Sequence, residues 1–164
     1  TTAHLALGDA LAICLVELRE FSDRDFAALH PGGALGKQLY LKVSDVFDKL
    51  RLPVVKTDAG LREVIVEIST KRLGATAVVS EENRLMGIIT DGDLRRMLEK
   101  EINTQHIVAK DIMSPNPKTI QTDDFAVKAL HMMQESKITQ LVVLDGEQVK
   151  GFIHLHDLLK EGIA

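Results

Sequence analysis

Residues 87–94 read Gly-Ile-Ile-Thr-Asp-Gly-Asp-Leu, and residues 151–158 read Gly-Phe-Ile-His-Leu-His-Asp-Leu. The first, third, seventh and eighth positions are identical in the two stretches, which lie 64 residues apart. Upstream, Ala-Val-Val at residues 77–79 aligns with Leu-Val-Val at residues 141–143 at the same spacing. Because the matches keep their order along the chain, they indicate two homologous units.

Each unit predicts the same order of elements: strand, helix, strand, strand, helix. In the first unit, one helix face is predicted by the apolar spacing of Leu61, Val64, Ile65 and Ile68. Gly74 follows this helix and is placed to end it in a left-handed cap. Two apolar strands and a short helix that begins near residue 91 complete the unit, so the predicted fold class is α/β, of the α+β type.

This pattern resembles the tandem cystathionine-β-synthase (CBS) module, most specifically at residues 87–94. The resemblance implies two modules related by a pseudo-twofold axis, preceded here by a helical segment outside the repeat. It also implies adenosyl or other nucleotide ligands in the clefts between the modules. We expect residues 42–104 to form the first module and residues 105–164 to form the second.

Residues 1–41 have no counterpart in the repeat. Nearly every position from Leu5 to Leu18 is apolar, and a helix that is apolar all round is normally buried on every side. The rest of the chain offers too little material to surround such a helix. This favours the end of a larger domain that the chain does not contain, and a helix buried in a dimer interface is the alternative.

Several short stretches resemble the end of the sugar-isomerase (SIS) domain of bacterial D-arabinose-5-phosphate isomerases. They include Leu-Gly-Asp-Ala-Leu at residues 7–11 and His-Pro-Gly-Gly-Ala-Leu-Gly at residues 30–36. In that family an SIS domain precedes a CBS pair. The enzymes interconvert D-ribulose 5-phosphate and D-arabinose 5-phosphate, and the product feeds the synthesis of Kdo, a lipopolysaccharide sugar.

The isomerase resemblance implies a place for His30 in the active site of the parent enzyme. A histidine suits the transfer of a proton between C1 and C2, because its reference pKa of about 6.5 is near physiological pH. From the residues alone, a histidine that only caps or spaces a turn is the alternative. The remaining acid and base groups of an SIS domain would precede Thr1, so we expect this chain by itself to be inactive as an isomerase.

Thr90 and Asp93 are candidate ligand contacts in the first unit. The CBS resemblance implies that the threonine hydroxyl contacts a phosphate and that the aspartate accepts hydrogen bonds from ribose hydroxyls. Both residues are predicted at the start of a helix, where free backbone N–H groups favour anions. The alternative is that Asp93 only caps the helix. Arg95 and Arg96 follow, either to hold an anionic ligand or to form a solvated helix face.

In the second unit, histidines replace two residues of the first: His154 stands for Thr90 and His156 for Gly92. A His-x-His pair beside Asp157 suggests a metal site, but a closed zinc site needs four ligands, so no metal is predicted. We prefer the two imidazoles as donors to a phosphate or a sugar carboxylate. Surface histidines without a ligand are the alternative.

Composition limits the possible partners. The 164 residues carry a net charge of −4, 4% of them are aromatic and none is Trp, which argues against a nucleic-acid partner. Cys14 is the only cysteine, so no internal disulfide is possible. No apolar run reaches the roughly 18 residues of a membrane span, and no signal peptide is visible. We therefore expect a cytoplasmic protein without a membrane partner, and no cofactor.

These observations predict a regulatory CBS pair of an arabinose-5-phosphate isomerase that binds a nucleotide or nucleotide sugar. The pathway suggests CMP-Kdo as a feedback effector, since its ribose, phosphate and carboxylate would suit the candidate residues of both units. Two alternatives remain open. The pair could serve only to hold subunits together by self-association, or it could sense adenylates in another enzyme.

Overall fold

The structure is a computed structural model that describes residues 1–22, 25–26, 29, 37, 39–99 and 106–163. It divides into two compact units, Thr1–Tyr40 and Leu41–Ala164. His30 and the glycine-rich motif around it lie outside the described residues. The active-site role predicted for His30 therefore stays a prediction.

The first unit contains the helix α1 (Thr2–Leu18), which continues without a break through Gly8 and Asp9. None of its residues is buried, and the side chains of Leu5 and Leu18 are 71% and 79% exposed. The predicted helix is confirmed, and within this chain its apolar surface is exposed. In the part of the chain that the structure describes, no helix is both long and apolar enough to cross a membrane.

The second unit contains two sheets. The strands of the first, in sheet order, are β1 (Val54–Lys56), β2 (Ala75–Val79), β3 (Leu85–Thr90) and β4 (Ser114–Pro115). Those of the second are β5 (Thr119–Gln121), β6 (Gln140–Asp145) and β7 (Gln148–His154). In each sheet the first strand pairs in parallel with the second, and the second pairs antiparallel with the third.

Six helices accompany these sheets in the described part of the second unit. They are α2 (Val43–Val46), α3 (Leu61–Lys71), α4 (Asp91–Leu98), α5 (Ala109–Ile112), α6 (Ala126–Ser136) and α7 (Leu155–Lys160). The predicted order of strand, helix, strand, strand and helix is confirmed in both repeats. The left-handed cap of α3 falls on Arg72 (φ 54°) rather than on Gly74, because the last backbone hydrogen bond of the helix runs from Arg72 N–H to Ile68 O. Gly74 also has a positive φ, but it lies in the connection to β2.

The strand registers correct one detail of the repeat alignment. Val54 pairs with Ala77 in the first sheet and Thr119 pairs with Val142 in the second, so Ala77 is equivalent to Val142. The alignment at a spacing of 64 had matched Ala77 to Leu141 and was wrong there by one residue. A shift of one residue exchanges the two faces of a strand, so the corrected register decides which side chains face the other sheet.

The two sheets share an apolar core between their faces. Ala75, Ala77 and Val79 of β2 pack there with Val142 and Phe152 of the second sheet. The alternate residues of the strands face the helices: Val78 packs against α3, and Val143 packs against α6. The modules therefore form one folded body with three connected apolar layers.

Short helices connect the modules reciprocally. The N–H of Val43 in α2 donates to Asp124 O at 2.9 Å, and Val43 is buried in the core of the second sheet. The N–H of Ala109 in α5 donates to Ala59 O at 2.8 Å, and Ala109 is buried in the core of the first sheet. Each sheet is thus completed by the short helix that precedes the other sheet in the chain.

Candidate functional site

Of the clefts at the junction of the modules, two contain His154 or Thr90. The larger of these two is an open cavity of about 910 Å³, which we call the histidine cleft. It lies where the end of α3 meets the start of α7. The described residues that line it are Arg51, Arg72, Leu73, Gly74, Asp91, Thr139, Gln140, His154, His156, Asp157, Leu159 and Lys160. The three residues predicted from the second repeat, His154, His156 and Asp157, are brought together in this cleft.

Helix capping positions the two histidines. His154 ends β7 in an extended conformation and is the N-cap of α7. Its Nδ1 accepts a hydrogen bond from the N–H of His156 at 3.1 Å, and its own N–H donates to Asp157 Oδ2 at 3.1 Å. The two imidazole rings then stack, with centroids 5.0 Å apart and planes 18° from parallel. A histidine thus performs the capping role usually taken by Ser, Thr, Asp or Asn.

The electrostatics of the histidine cleft favour an anion. Burial lowers the pKa of His154, the neighbouring His156 lowers it further, and the Asp157 carboxylate acts in the opposite direction. Three permanent cations line the cleft against two carboxylates. Protonation of His154 would increase this positive excess, and an anionic group near its ring would favour that protonation.

Gln140 has an unsatisfied polar atom at the same junction. It lines both clefts, and its side-chain Oε1 is buried without a hydrogen-bond partner. A buried acceptor without a donor costs about 1–3 kcal/mol.

The smaller cleft, which we call the threonine cleft, has a volume of about 370 Å³. Its described lining residues are Ile88, Thr90, Pro117, Lys118, Lys137, Ile138, Thr139 and Gln140. The two clefts are related by the repeat. Thr90 is the N-cap of α4, as His154 is the N-cap of α7. Lys137 is the left-handed C-cap of α6, as Arg72 is the left-handed C-cap of α3.

Asp93 is held in a cluster with Thr90, Arg96 and Ser114, which we call the Asp93 cluster. Asp93 Oδ2 accepts hydrogen bonds from Thr90 N–H at 2.8 Å and from Thr90 Oγ1 at 2.6 Å. Oδ1 accepts from Arg96 Nη2 at 2.6 Å and from Ser114 Oγ at 3.0 Å. Burial alone raises the pKa of Asp93, but these hydrogen bonds outweigh it and lower the pKa below its usual value.

The remaining predicted contacts lie outside both clefts. Asp93 is only 8% exposed and is absent from the described lining of either cleft. Arg96 pairs with it, and Arg95 lies exposed on α4. Sequence reasoning missed Arg51 and Gln140 because no motif marks them. Arg72 was missed as well, because only the tertiary packing places the end of α3 beside His154.

In the part of the chain that the structure describes, no group of three or more His, Cys, Asp or Glu side chains is arranged to hold a metal ion. His154 Nδ1 and Asp157 Oδ2 are both already engaged by backbone N–H groups. The two imidazoles are therefore better arranged as donors to a ligand than as metal ligands.

Curated relatives match almost the whole chain. It is 42% identical over 165 residues to the arabinose 5-phosphate isomerase KdsD of Yersinia pestis, covering 100% of this chain and 50% of the relative. It is 47% identical over 163 residues to the enzyme of the same name from Francisella tularensis, covering 98% of this chain and 49% of the relative. The chain spans about half the length of these relatives, and the predicted resemblance to arabinose-5-phosphate isomerases is confirmed.

Solved structures share the fold at low sequence identity. The CBS domain protein PAE2072 from Pyrobaculum aerophilum, complexed with AMP, has a TM-score of 0.65 and 21% identity, covering 76% of this chain and all of that one. CBSX2 in complex with AMP has a TM-score of 0.63 and 23% identity, covering 73% of this chain and 94% of that one. The CBS domain profile matches residues 43–100 and 109–163. The predicted tandem fold is confirmed, and the chain belongs to the CBS domain family.

Proposed function

We propose that this chain is the regulatory part of an arabinose-5-phosphate isomerase and that it binds an anionic nucleotide sugar, CMP-Kdo, in the histidine cleft. The observation that carries the proposal is the stacked His154–His156 pair in a cleft that also contains Arg51 and Arg72. The names and identities of the relatives support the isomerase context.

The size and charge of the cleft suit a nucleotide sugar. A volume of about 910 Å³ is near the upper end of the roughly 300–1,000 Å³ typical of small-molecule sites. CMP-Kdo carries two separate anionic groups, a phosphate and a sugar carboxylate. Guanidinium groups bind both with paired hydrogen bonds, so Arg51 and Arg72 can each take one, and the imidazoles can donate to either.

Neutral groups of CMP-Kdo can also form hydrogen bonds in the histidine cleft. The Asp157 carboxylate lines the cleft and can accept hydrogen bonds from ribose hydroxyls. Arg72, His154, His156 and Asp157 are placed at the cleft by helix ends, and Arg51 lies in the connection between α2 and β1.

In the longer protein, His30 would serve as a general base for the transfer of a proton between C1 and C2 of the sugar phosphate. This chain alone would then bind the effector without turnover. We also propose that the chain self-associates, which is supported by the exposed apolar side chains of Ile65 and Val66 on α3.

A thermal unfolding experiment tests the proposed ligand. We expect CMP-Kdo to raise the melting temperature of the chain, because a ligand that binds only the folded state stabilises it, by about 2.7 kcal/mol at 100 times its dissociation constant. CMP and free Kdo, each carrying one of the two anionic groups, should give smaller shifts. The His156→Ala variant, which changes an exposed side chain, should unfold normally and respond less. Equal melting temperatures with and without saturating CMP-Kdo would rule the effector out.

AMP is the second candidate ligand, and a specific observation favours it. The threonine cleft is smaller and more apolar, with Ile88 and Ile138 available to contact an adenine ring and Lys137 available to a phosphate. Two structural neighbours were solved in complex with AMP. A larger thermal shift with AMP than with CMP-Kdo would support this adenylate function instead.

A further inference from the structure

The equivalent carboxylates of the two repeats, Asp93 and Asp157, differ in the number of hydrogen bonds that they accept. We propose that each chain binds a single nucleotide ligand, in the histidine cleft. We further propose that the Asp93 cluster prevents the threonine cleft from binding a second one, because it engages the hydroxyl of Thr90, which lines that cleft. This inference rests on the proposed function, which it narrows to one cleft and one ligand per chain.

In the first repeat, both oxygens of the carboxylate are occupied. Asp93 Oδ2 accepts from the main chain and hydroxyl of Thr90, and Oδ1 accepts from Arg96 and Ser114, with all four distances between 2.6 and 3.0 Å. A ribose hydroxyl could reach Asp93 only by displacing a guanidinium or a serine hydroxyl. The Thr90 hydroxyl is engaged too, since it also accepts from Asp93 N–H at 3.2 Å.

In the second repeat, the equivalent carboxylate is open. Asp157 Oδ2 accepts one hydrogen bond, from His154 N–H at 3.1 Å. The residue equivalent to Arg96 is Lys160, whose Nζ lies 3.9 Å from Asp157 Oδ1, beyond hydrogen-bond distance. Among the described residues, no donor saturates this oxygen. It is available to a ligand that enters the histidine cleft.

Part of this difference between Asp93 and Asp157 comes from the residues that directly follow the short helices α2 and α5. Phe47 and Met113 are equivalent, because each lies against the signature glycine of a repeat, Gly151 and Gly87 respectively. The residue that follows Met113 is Ser114, which donates to Asp93.

The residue that follows Phe47 is Asp48, an acceptor that cannot donate to Asp157. It pairs instead with Arg51, whose Nε lies 3.5 Å from Asp48 Oδ2. Arg51, which forms this pair with Asp48, also lines the histidine cleft. Two changes of residue type between the repeats, Lys160 for Arg96 and Asp48 for Ser114, thus leave the Asp157 carboxylate open, and Asp48 also pairs with a cation of the same cleft.

Titration calorimetry of the chain with CMP-Kdo tests the inference. We expect one ligand per chain. Asp157→Asn should weaken binding by about tenfold or more, as expected when a hydrogen bond to a charged group is lost. His156→Ala should also weaken it, and because this side chain is exposed, the variant reports on binding even if Asp157→Asn unfolds. Lys118→Glu, which reverses an exposed charge in the threonine cleft, is the matched control and should leave the affinity unchanged.

A second variant tests the role of the Asp93 cluster. Arg96→Met combined with Ser114→Ala removes both donors to Asp93 Oδ1, and circular dichroism would confirm that the variant is folded. We expect the stoichiometry to rise from one ligand to two. A folded variant that still binds one ligand would show that the cluster is not what closes the threonine cleft.

The results separate this inference from the proposed function. Two ligands per wild-type chain, or binding that is lost in Lys118→Glu and kept in Asp157→Asn, would overturn the inference and leave ligand binding intact. The absence of binding by CMP-Kdo, CMP and AMP would overturn the proposed function, and the inference with it.

Discussion

His154 combines two roles that conflict at low pH. Its Nδ1 accepts a hydrogen bond at the start of α7, which requires that nitrogen to be unprotonated. Burial and the adjacent His156 lower the pKa of His154 below its usual value. The residue therefore stabilises the fold as a neutral ring, whereas a bound anion would favour the charged ring.

This conflict predicts how stability depends on pH. The unfolded chain protonates His154 near pH 6.5, and the folded chain does so at a lower pH. Between these values the unfolded state binds more protons, so stability rises with pH. We expect the melting temperature of the unliganded chain to fall as the pH is lowered through about 6.5, and His154→Asn, which retains a capping side chain, to reduce this dependence.

The exposed histidine on α6 provides the control for that measurement. His131→Asn should keep the pH dependence of the wild-type chain, because this residue takes no part in the capping of α7. If His154→Asn and the wild-type chain lose stability in parallel as the pH falls, His154 is not the group responsible.

At the scale of elements, β7 and α2 depend on the absence of a side chain at Gly151. A Cβ built there would lie 2.8 Å from the Phe47 ring, closer than real side chains approach. Gly87 is in the equivalent position, and a Cβ built there would lie 2.8 Å from the sulfur of Met113. The two glycines that mark the repeat in the sequence are therefore needed for the contact between each sheet and the short helix that completes it.

We expect Gly151→Ala to destabilise the chain by about 1–3 kcal/mol, the usual cost of overpacking a core. Chemical denaturation measures this loss. Phe47→Leu in the same chain should recover part of it, because a smaller side chain makes room for the methyl group. Gly92→Ala is the matched control: its Cβ would lie 3.3 Å from Arg96 Nη1 and 3.5 Å from Thr90 Oγ1, without the close approach found at Gly151, so its stability should be equal or higher. Equal stabilities of the two glycine variants would contradict the proposed contact.

At the scale of the whole molecule, neither module is complete without the other. Ala75 and Ala77 of the first sheet are fully buried by residues of the second. The carbonyls of Thr57 and Ala59 accept hydrogen bonds from α5, which follows the first module in the chain. The pair therefore behaves as one cooperative unit, unlike two separate domains on a linker.

A truncated chain that ends at residue 104 tests this interdependence. We expect it to lack a cooperative thermal transition, because the shared core and the contacts of α5 would be missing. Proton NMR dispersion and calorimetry would measure the outcome, with the full chain as the reference. A monomeric truncated chain with a sharp transition would show that the first module folds on its own.

Much of this organisation was predictable from local patterns. The spacing of Leu61, Val64, Ile65 and Ile68 predicts α3, and the recurring signatures predict two equivalent modules, because helix periodicity and short motifs are properties of nearby residues. The juxtaposition of His154, His156 and Asp157 was also predictable, since all three lie within four consecutive positions. The residue-by-residue equivalence of β2 and β6 was not predictable, because a shift of one residue exchanges the faces of a strand without changing its composition.

The sequence by itself determined the repeat, the elements of each module and the pair of histidines in the second signature. Only the tertiary structure decided which residues of the first repeat join those histidines, because Arg51 and Arg72 reach the cleft through packing between modules. It also decided that the Asp93 carboxylate is fully hydrogen-bonded and the Asp157 carboxylate is open, since Ser114, one of the donors that distinguish them, lies 21 residues from Asp93 in the chain. Contacts between distant segments depend on how the two sheets pack, and a local pattern carries no record of that packing.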